Sequence, residues 1–465
     1  MKHMTRRQLL ASLPLAAHPL PPYGTLPSPR QFRWHALEFY GFLHFTMNTF
    51  TGKEWGYGDE DPSRFAPSSF DADQIVESLA AAGMKGVILT CKHHDGFCLW
   101  PSKTTDHSVR RSPFRNGRGD VVKEIADAAR RRKLAFGVYL SPWDRNHPQY
   151  GRPEYVQVYR QQLHELLTSY GPIFEVWHDG ANGGDGFYGG AREKRTIDKR
   201  SYYDWQATWE MVRRLQPDAV IFSDVGPDIR WVGNESGFAS DTSWATYDPV
   251  GPDGGPSAPG HTRYKEGGVG HRNGAKWLPA ECDVSIRPGW FWHENQNDKV
   301  KTPRQLLDLY YKSVGRGAGF LLNVPPDRRG LLHEADTASL RTLGSALRAT
   351  FARNLIRKAP RPLLDNNRET YVAASEITAE LYPATTFDII RLREEIRLGQ
   401  RIDGFEIDIP DGAAWRTIAR STSVGPCRIL RLDQPVAAAQ VRLRVTRSAA
   451  PPAVAEFSLF KEQGL

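Results

Sequence analysis

Between about residues 36 and 350, short continuous apolar runs alternate with longer stretches whose apolar positions recur every three or four residues. Strands buried on both faces read as unbroken apolar runs, and amphipathic helices read with a period near 3.6. On that basis Phe39–Phe45 is a strand and Ala72–Ala82 a helix, followed by the strand Gly86–Thr90 and the helix Val121–Arg132. The strand Ala135–Leu140 and helix Glu154–Tyr170 come next, then Ile173–Trp177 with Tyr202–Leu215, and the strand Ala219–Ser223. Near the end of the region come Gln305–Val314, Phe320–Val324 and Ala335–Phe351. The alternation predicts an α/β fold with a parallel sheet covered by helices, a (β/α)8-like TIM barrel, with an open doubly wound sheet as the alternative. Residues 224–300 break the rhythm. They are rich in Gly, Pro, Asp and Trp, and predict long loops with one or two poorly formed units.

The texture changes at Pro360. Short β-rich runs follow, at Thr370–Ala374, Phe387–Arg391, Phe405–Ile409, Arg428–Leu432, Val441–Val445 and Val454–Leu459, separated by turn residues. That spacing predicts an antiparallel β-sandwich. The chain therefore divides into a barrel domain over 34–355 and a C-terminal β-sandwich over 360–465. Ahead of them, Thr5-Arg6-Arg7-Gln8-Leu9-Leu10 and the short apolar stretch to Ala17 form a twin-arginine export pattern. Residues 1–17 are thus expected to be a signal peptide for a periplasmic or secreted protein. Residues 18–33, with Pro19, Pro21, Pro22, Pro27 and Pro29, are expected to be an extended leader.

Composition narrows the function. Apolar residues make up 40% of the chain and charged residues 25%, which excludes global disorder. No apolar run approaches the roughly 18 residues a membrane span requires. Four cysteines exclude a disulfide scaffold and fit no zinc ribbon. Cys91 and Cys98 could pair in an oxidising compartment; the alternative is that they are buried as small apolar residues. The net charge of +8 is scattered. Its densest run, Arg130-Arg131-Arg132-Lys133, ends a predicted helix, where cations complement the dipole, so no nucleic-acid partner is expected. Aromatic side chains are 11% of the residues, a heavy load of the rings that carbohydrate clefts use, although most must serve the core.

Polar residues gather at the strand ends. His44 follows the first strand, and Lys92-His93-His94-Asp95 the second. Ser141, Trp143 and Asp144 follow the third, and Trp177-His178-Asp179-Gly180 the fourth. Ser223-Asp224 follows the fifth, and Asn323 lies near the end of the last. The C-terminal ends of the strands are where barrel active sites form. Histidines there could hold a metal, and a metal-dependent barrel hydrolase is one reading. The adjacency of His93 and His94 opposes it, because neighbours on a regular strand face opposite sides. Glycosidic hydrolysis instead needs two carboxyl groups. Asp179 is one candidate, since the glycines behind it let the chain turn away. The second must come from a loop: Glu235 or Glu281, with Asp224 and Asp228 as further candidates.

The motifs Phe42-Leu43-His44-Phe45, Lys53-Glu54-Trp55, Lys92-His93-His94-Asp95-Gly96-Phe97, Tyr139-Leu140-Ser141-Pro142-Trp143, Glu175-Val176-Trp177-His178-Asp179-Gly180 and Leu321-Leu322-Asn323-Val324-Pro325-Pro326-Asp327 span the whole predicted barrel. Together they resemble the α-L-fucosidases of glycoside hydrolase family 29. Arg230–Gly237 and Trp143–His147 look like the branch selective for α-1,3/1,4 linkages, whose substrates are Lewis-type fucosylated glycans. The resemblance implies a retaining exo-hydrolase, with Asp179 as nucleophile and Glu235, ahead of Glu281, as acid/base; on the histidine spacing no metal is expected, nor any cofactor. It implies that His44, Glu54, Trp55, His93, His94, Tyr139, Trp143 and Trp177 contact substrate. The acid is expected to be partly buried beside a negative neighbour, which would raise its pKa. His178 departs from the aromatic residue found in relatives and is expected to point into the barrel wall. A non-catalytic fucose-binding protein on the same fold is the competing class, disfavoured because both carboxyl groups are present.

Overall fold

The computed structural model describes residues 20–463; the expected signal peptide lies outside them. Eight parallel strands close into a barrel in strict chain order: β1 (Phe39–Leu43), β2 (Gly86–Lys92), β3 (Ala135–Leu140), β4 (Glu175–Trp177), β5 (Val220–Ser223), β6 (Ile229–Trp231), β7 (Ala280–Ser285) and β8 (Gly319–Asn323), with β8 returning to β1. The closing pair registers Gly41 on Leu322, and Gly41 also faces Val87 of β2. Closure leaves no strand edge to protect. Helices Ala72–Ala81, Val121–Arg131, Pro153–Ser169, Trp205–Leu215, Pro303–Ser313 and Glu334–Phe351 pack outside, each turning an apolar face to the strands. Asp71 and Asp120 cap the first two, accepting from backbone N–H groups of the first turn.

The barrel floor is filled by Tyr40, Ile88, Val220, Ile229 and Leu321, and Trp34 packs with them from below. Trp34 belongs to a helix, Pro29–Leu37, started by a capping box at Ser28, so the proline-rich leader is helical at its end rather than extended throughout. Gly319 is required bare: a Cβ there would lie 2.7 Å from both Trp34 and the Tyr40 hydroxyl.

The second half of the barrel departs from the periodic pattern. No helix separates β5 from β6, and residues 232–279 between β6 and β7 contain no helix or strand. Arg230, fully buried, organises that segment by donating to the carbonyls of Gly267, Trp244 and Leu278. Strand β7 was invisible to periodicity because its inward residues include Glu281 and Asp283, which break the apolar run although every residue of the strand is buried.

The C-terminal region is antiparallel, in the order β11-β10-β12-β9-β13, with β9 (Glu376–Glu394), β10 (Ile402–Asp411), β11 (Ala414–Ser421), β12 (Arg428–Ser448) and β13 (Val454–Phe460). Strands β9 and β12 are long and bulged. Strand β10 pairs with the end of β12, and β13 with the end of β9. The halves enclose one apolar core, including Ile377, Phe387, Phe405, Leu443 and Phe457, as the sandwich reading requires. Arg428–Leu432 and Val441–Val445 are the two ends of one strand, while Thr370–Ala374 makes only an isolated bridge at Val372. Strand β11 was missed because neither of its faces is buried. All four cysteines, Cys91 and Cys98 among them, are free and buried.

Candidate active site

The C-terminal mouth of the barrel opens into a cavity of about 440 Å³. Its lining includes Asp179 and Glu235 with His44, Trp55, His93, His94, Tyr139 and Trp177. Each side chain reaches it for a local reason. His44 lies just past β1, its Nδ1 2.9 Å from the Asn323 side-chain oxygen at the end of β8. His93 and His94 both face the cavity, against the alternation argument. Pairing with β3 slips between Thr90 and Lys92, and the strand ends at Lys92, so the two rings sit in a turn with centroids 4.1 Å apart. Asp95 fixes that turn, accepting from the Phe97 amide and the Thr46 hydroxyl; burial pushes its carboxyl up to about 7.

The imidazoles are held for hydrogen bonding. His94 Nδ1 lies 2.7 Å from the Ser141 hydroxyl and His44 is tied to Asn323. Burial lowers His44 and His94 to about 3 and His93 well below its ordinary value, so all three are neutral near pH 7 and can donate at one nitrogen and accept at the other. Among the described residues, no cluster of three or more His, Cys, Asp or Glu is placed to hold a metal ion.

Asp179 follows β4. Its Oδ2 accepts from the Tyr139 hydroxyl at 2.8 Å and its Oδ1 from the Ala181 amide at 2.6 Å. Burial raises its pKa, and these two bonds oppose the rise by favouring the carboxylate. The adjacent Gly180 lets Asp224 close in, since a Cβ there would lie 2.5 Å from Asp224 Oδ2. Asp224 accepts from the Gly260 amide and the Tyr264 hydroxyl, tying the long 232–279 segment to the end of β5. Its carboxyl is pushed up to about 6, chiefly by burial. Asp228, the other weighed carboxylate, pairs instead with Arg213.

Glu235 enters from the 232–279 segment and accepts from the Trp290 indole N–H at 3.3 Å. It is exposed, so the partial burial expected of it is not supplied by the protein itself. Glu281, its rival, is fully buried within the barrel below Trp177 and does not line the cavity. Two further expected contacts also stand behind the lining. Glu54 accepts from the Trp290 and Phe291 amides and contacts His293 at 2.6 Å, fixing the segment that carries Trp290. Trp143 packs edge-on against Trp55 and donates to the Tyr188 hydroxyl. His178 lies outside the cavity, its Nδ1 2.8 Å from the Tyr159 hydroxyl and its ring beside Trp205.

Several lining residues were not among the expected contacts: Phe42, although it stands in a quoted motif, and Phe222, Asp283, Trp290, Tyr264 and Lys199. Phe222 stacks on Trp177 at 4.2 Å, and Trp177 on Tyr139 at 5.2 Å, making a continuous apolar wall. Trp231 and Tyr264 meet edge to face at 5.2 Å on the flank that carries Glu235. The available signal was the i, i+2 spacing of Glu281 and Asp283, which places both on one face of a strand.

A cavity lined by Asp179, Asp224, Glu235 and Asp283, with neutral imidazoles and aromatic walls, suits a sugar ring, and comparison with known proteins agrees. The alpha-L-fucosidase family profile matches residues 30–350. Alpha-L-fucosidase 1 of Arabidopsis thaliana is 41% identical over 475 residues, covering 97% of this chain and 90% of that protein. The crystal structure of a glycoside hydrolase 29 family member from an unknown rumen bacterium superposes with a TM-score of 0.87 at 41% identity, covering 96% of this chain and 78% of that one. A Ruminococcus gnavus GH29 fucosidase, solved in complex with fucose, superposes with a TM-score of 0.83 at 30% identity, covering 96% and 97%. The chain belongs to the α-L-fucosidases of glycoside hydrolase family 29.

Proposed function

We propose that the protein is a retaining exo-α-L-fucosidase that removes terminal α-1,3/1,4-linked fucose from Lewis-type glycans. The observation that carries this reading is the contrast between two carboxyl groups in one cavity. Asp179 is partly buried, and burial pushes its pKa up, while two hydrogen bonds fix the side chain and favour its ionised form, the form a nucleophile uses. Glu235 is exposed beside Trp290, where an arriving leaving-group sugar would cover it. Asp179 attacks the anomeric carbon while Glu235 gives its proton to the departing oxygen. Glu235 then takes a proton from water, which releases fucose with its configuration kept. The neutral histidines exchange hydrogen bonds with sugar hydroxyls. The wall formed by Phe42, Trp177 and Phe222 takes the sugar's apolar face and methyl group.

Linkage preference rests on the loop Arg230–Gly237, with Trp231 and Tyr264 forming a ring-lined flank for the sugars beyond fucose. A panel of α-1,2-, α-1,3- and α-1,4-fucosylated oligosaccharides tests the whole reading, with proton NMR recording the anomer first released. Release of α-fucose from Lewis-type substrates, ahead of α-1,2-fucosides, is expected. First release of β-fucose would overturn retention, and preference for α-1,2 substrates would overturn the linkage assignment alone.

A further inference from the structure

Directly beneath the sugar cavity the barrel interior holds two acids that hydrolysis does not use. Glu175 begins β4, and Glu281 is the second residue of β7; both are wholly buried. Glu281 accepts from the Trp177 indole N–H at 2.8 Å on one oxygen and from the Tyr40 hydroxyl on the other. Glu175 accepts from the Trp34 indole N–H at 3.0 Å on one oxygen, and its other oxygen, Oε1, has no donor among the described residues. The two carboxyls are within hydrogen-bonding reach of each other, and no cation pairs with either among the described residues.

We propose that Glu175 and Glu281 share one proton, carried on Glu175 and donated to Glu281, and that the charge left on Glu281 makes it a positioning residue that orients and polarises Trp177. Two adjacent carboxylates without a cation cannot both be ionised in the barrel interior. The donors decide which one keeps the proton. Glu281 already accepts two hydrogen bonds and gains a third, as an ionised carboxylate does. Glu175 accepts one and has a bare oxygen suited to be the hydroxyl. Burial raises both acids above the ordinary carboxylate range; repulsion by Glu281 lifts Glu175 further, whereas the bonds from Tyr40, Glu175 and Trp177 hold Glu281 down.

The consequence reaches the cavity through Trp177, which lines it and is stacked between Phe222 and Tyr139. An indole whose N–H is bonded to a carboxylate has a more negative ring face. The transition state for glycoside hydrolysis carries positive charge on the sugar ring, whereas the bound substrate does not. A fixed negative charge in a low-dielectric interior therefore favours the transition state selectively. This inference rests on the reading of the cavity as the fucose site.

Glu175→Gln and Glu281→Gln separate the two acids, with thermal melting of the full chain to confirm folding. The glutamine amide at 175 donates where the hydroxyl did, so kcat should stay within about threefold of wild type. The amide at 281 can still accept from Trp177 but bears no charge. Its kcat should fall by about tenfold or more, the scale on which groups acting through a contacting residue operate, while KM changes little. The infrared difference spectrum of wild type minus Glu175→Gln at neutral pH should show one protonated carboxyl lost. Equal loss of kcat in both variants, a Glu281→Gln defect confined to KM, or absence of the infrared band would overturn the proposal. Failure of the wild type to release fucose would remove the reading beneath it, and the infrared band would still decide the shared proton.

Discussion

Replacing Tyr139 by Phe isolates a hydrogen bond that favours the Asp179 carboxylate over its protonated form. The Tyr139 hydroxyl donates to Asp179 Oδ2 at 2.8 Å, opposing the upward push of burial. The substitution removes one oxygen and leaves the ring, with its stacks on Trp177 at 5.2 Å and on His93 at 5.9 Å. A hydrogen bond to a charged group is worth about 1.5–3 kcal/mol. At about 1.4 kcal/mol per pH unit, its loss moves the acid limb of the kcat/KM profile to higher pH by about one to two units. The sign follows from the acceptor: the lost bond favoured the carboxylate, so Asp179 protonates sooner as pH falls, and activity disappears at a less acidic pH. Fucose release from a Lewis-type trisaccharide, followed from acid to neutral pH, measures the shift. An unmoved acid limb in a folded Tyr139→Phe protein would show that this bond does not set the ionisation on which turnover depends.

Asp179→Ala should lose nearly all turnover while fucose affinity, measured calorimetrically, persists; wild-type-like turnover would sink the nucleophile assignment. Lys92, buried on Asp144 at 3.1 Å, Tyr155 at 2.9 Å and Gln162 at 2.8 Å, should be costly to lose. Lys92→Met strands the Asp144 carboxylate and should cost about 3–5 kcal/mol in urea unfolding, and a loss below about 1 kcal/mol would contradict this. His44 is held near 3 when folded and titrates near 6.5 when unfolded, so its contribution to stability is present above about pH 6.5 and is lost as pH falls toward 3. Melting temperature should therefore decline less steeply on acidification in His44→Gln than in wild type, and an identical slope would refute the burial argument. Dialysis against a strong chelator should leave the rate unchanged, whereas loss restored only by a divalent ion would favour a metal-dependent hydrolase.

The first half of the barrel was legible because its strands are short apolar runs followed by amphipathic helices. Ala135–Leu140 is a strand over the very residues its pattern indicates. Legibility ended where barrel strands carry acids inward. Glu281 and Asp283 interrupt the apolar signal of β7, and their partners, Tyr40, Trp177 and Trp231, come from distant positions. The site was legible where strand ends supply it, at His44, Tyr139, Trp177 and Asp179. His93 and His94 misled the alternation argument because regular strand geometry ends one residue earlier. Trp290 was illegible, since long-range bonds from its segment to Glu54, Glu235 and Asn323 bring it to the cavity. Glu54 and Trp143 show the converse: the motifs identify them, yet the fold uses both to support residues at the wall.

Trapping the covalent intermediate tests Asp179 as nucleophile most directly. A 2-deoxy-2-fluoro-fucosyl fluoride has a good leaving group, and its electronegative C2 substituent slows breakdown of the fucosyl-enzyme. After incubation and proteolysis, mass spectrometry should find one fluorofucosyl group, on the peptide that contains Asp179 and on that side chain. An adduct on Asp224, Glu235 or Glu281, or rapid turnover of the reagent to the inverted sugar with no adduct, would contradict the assignment.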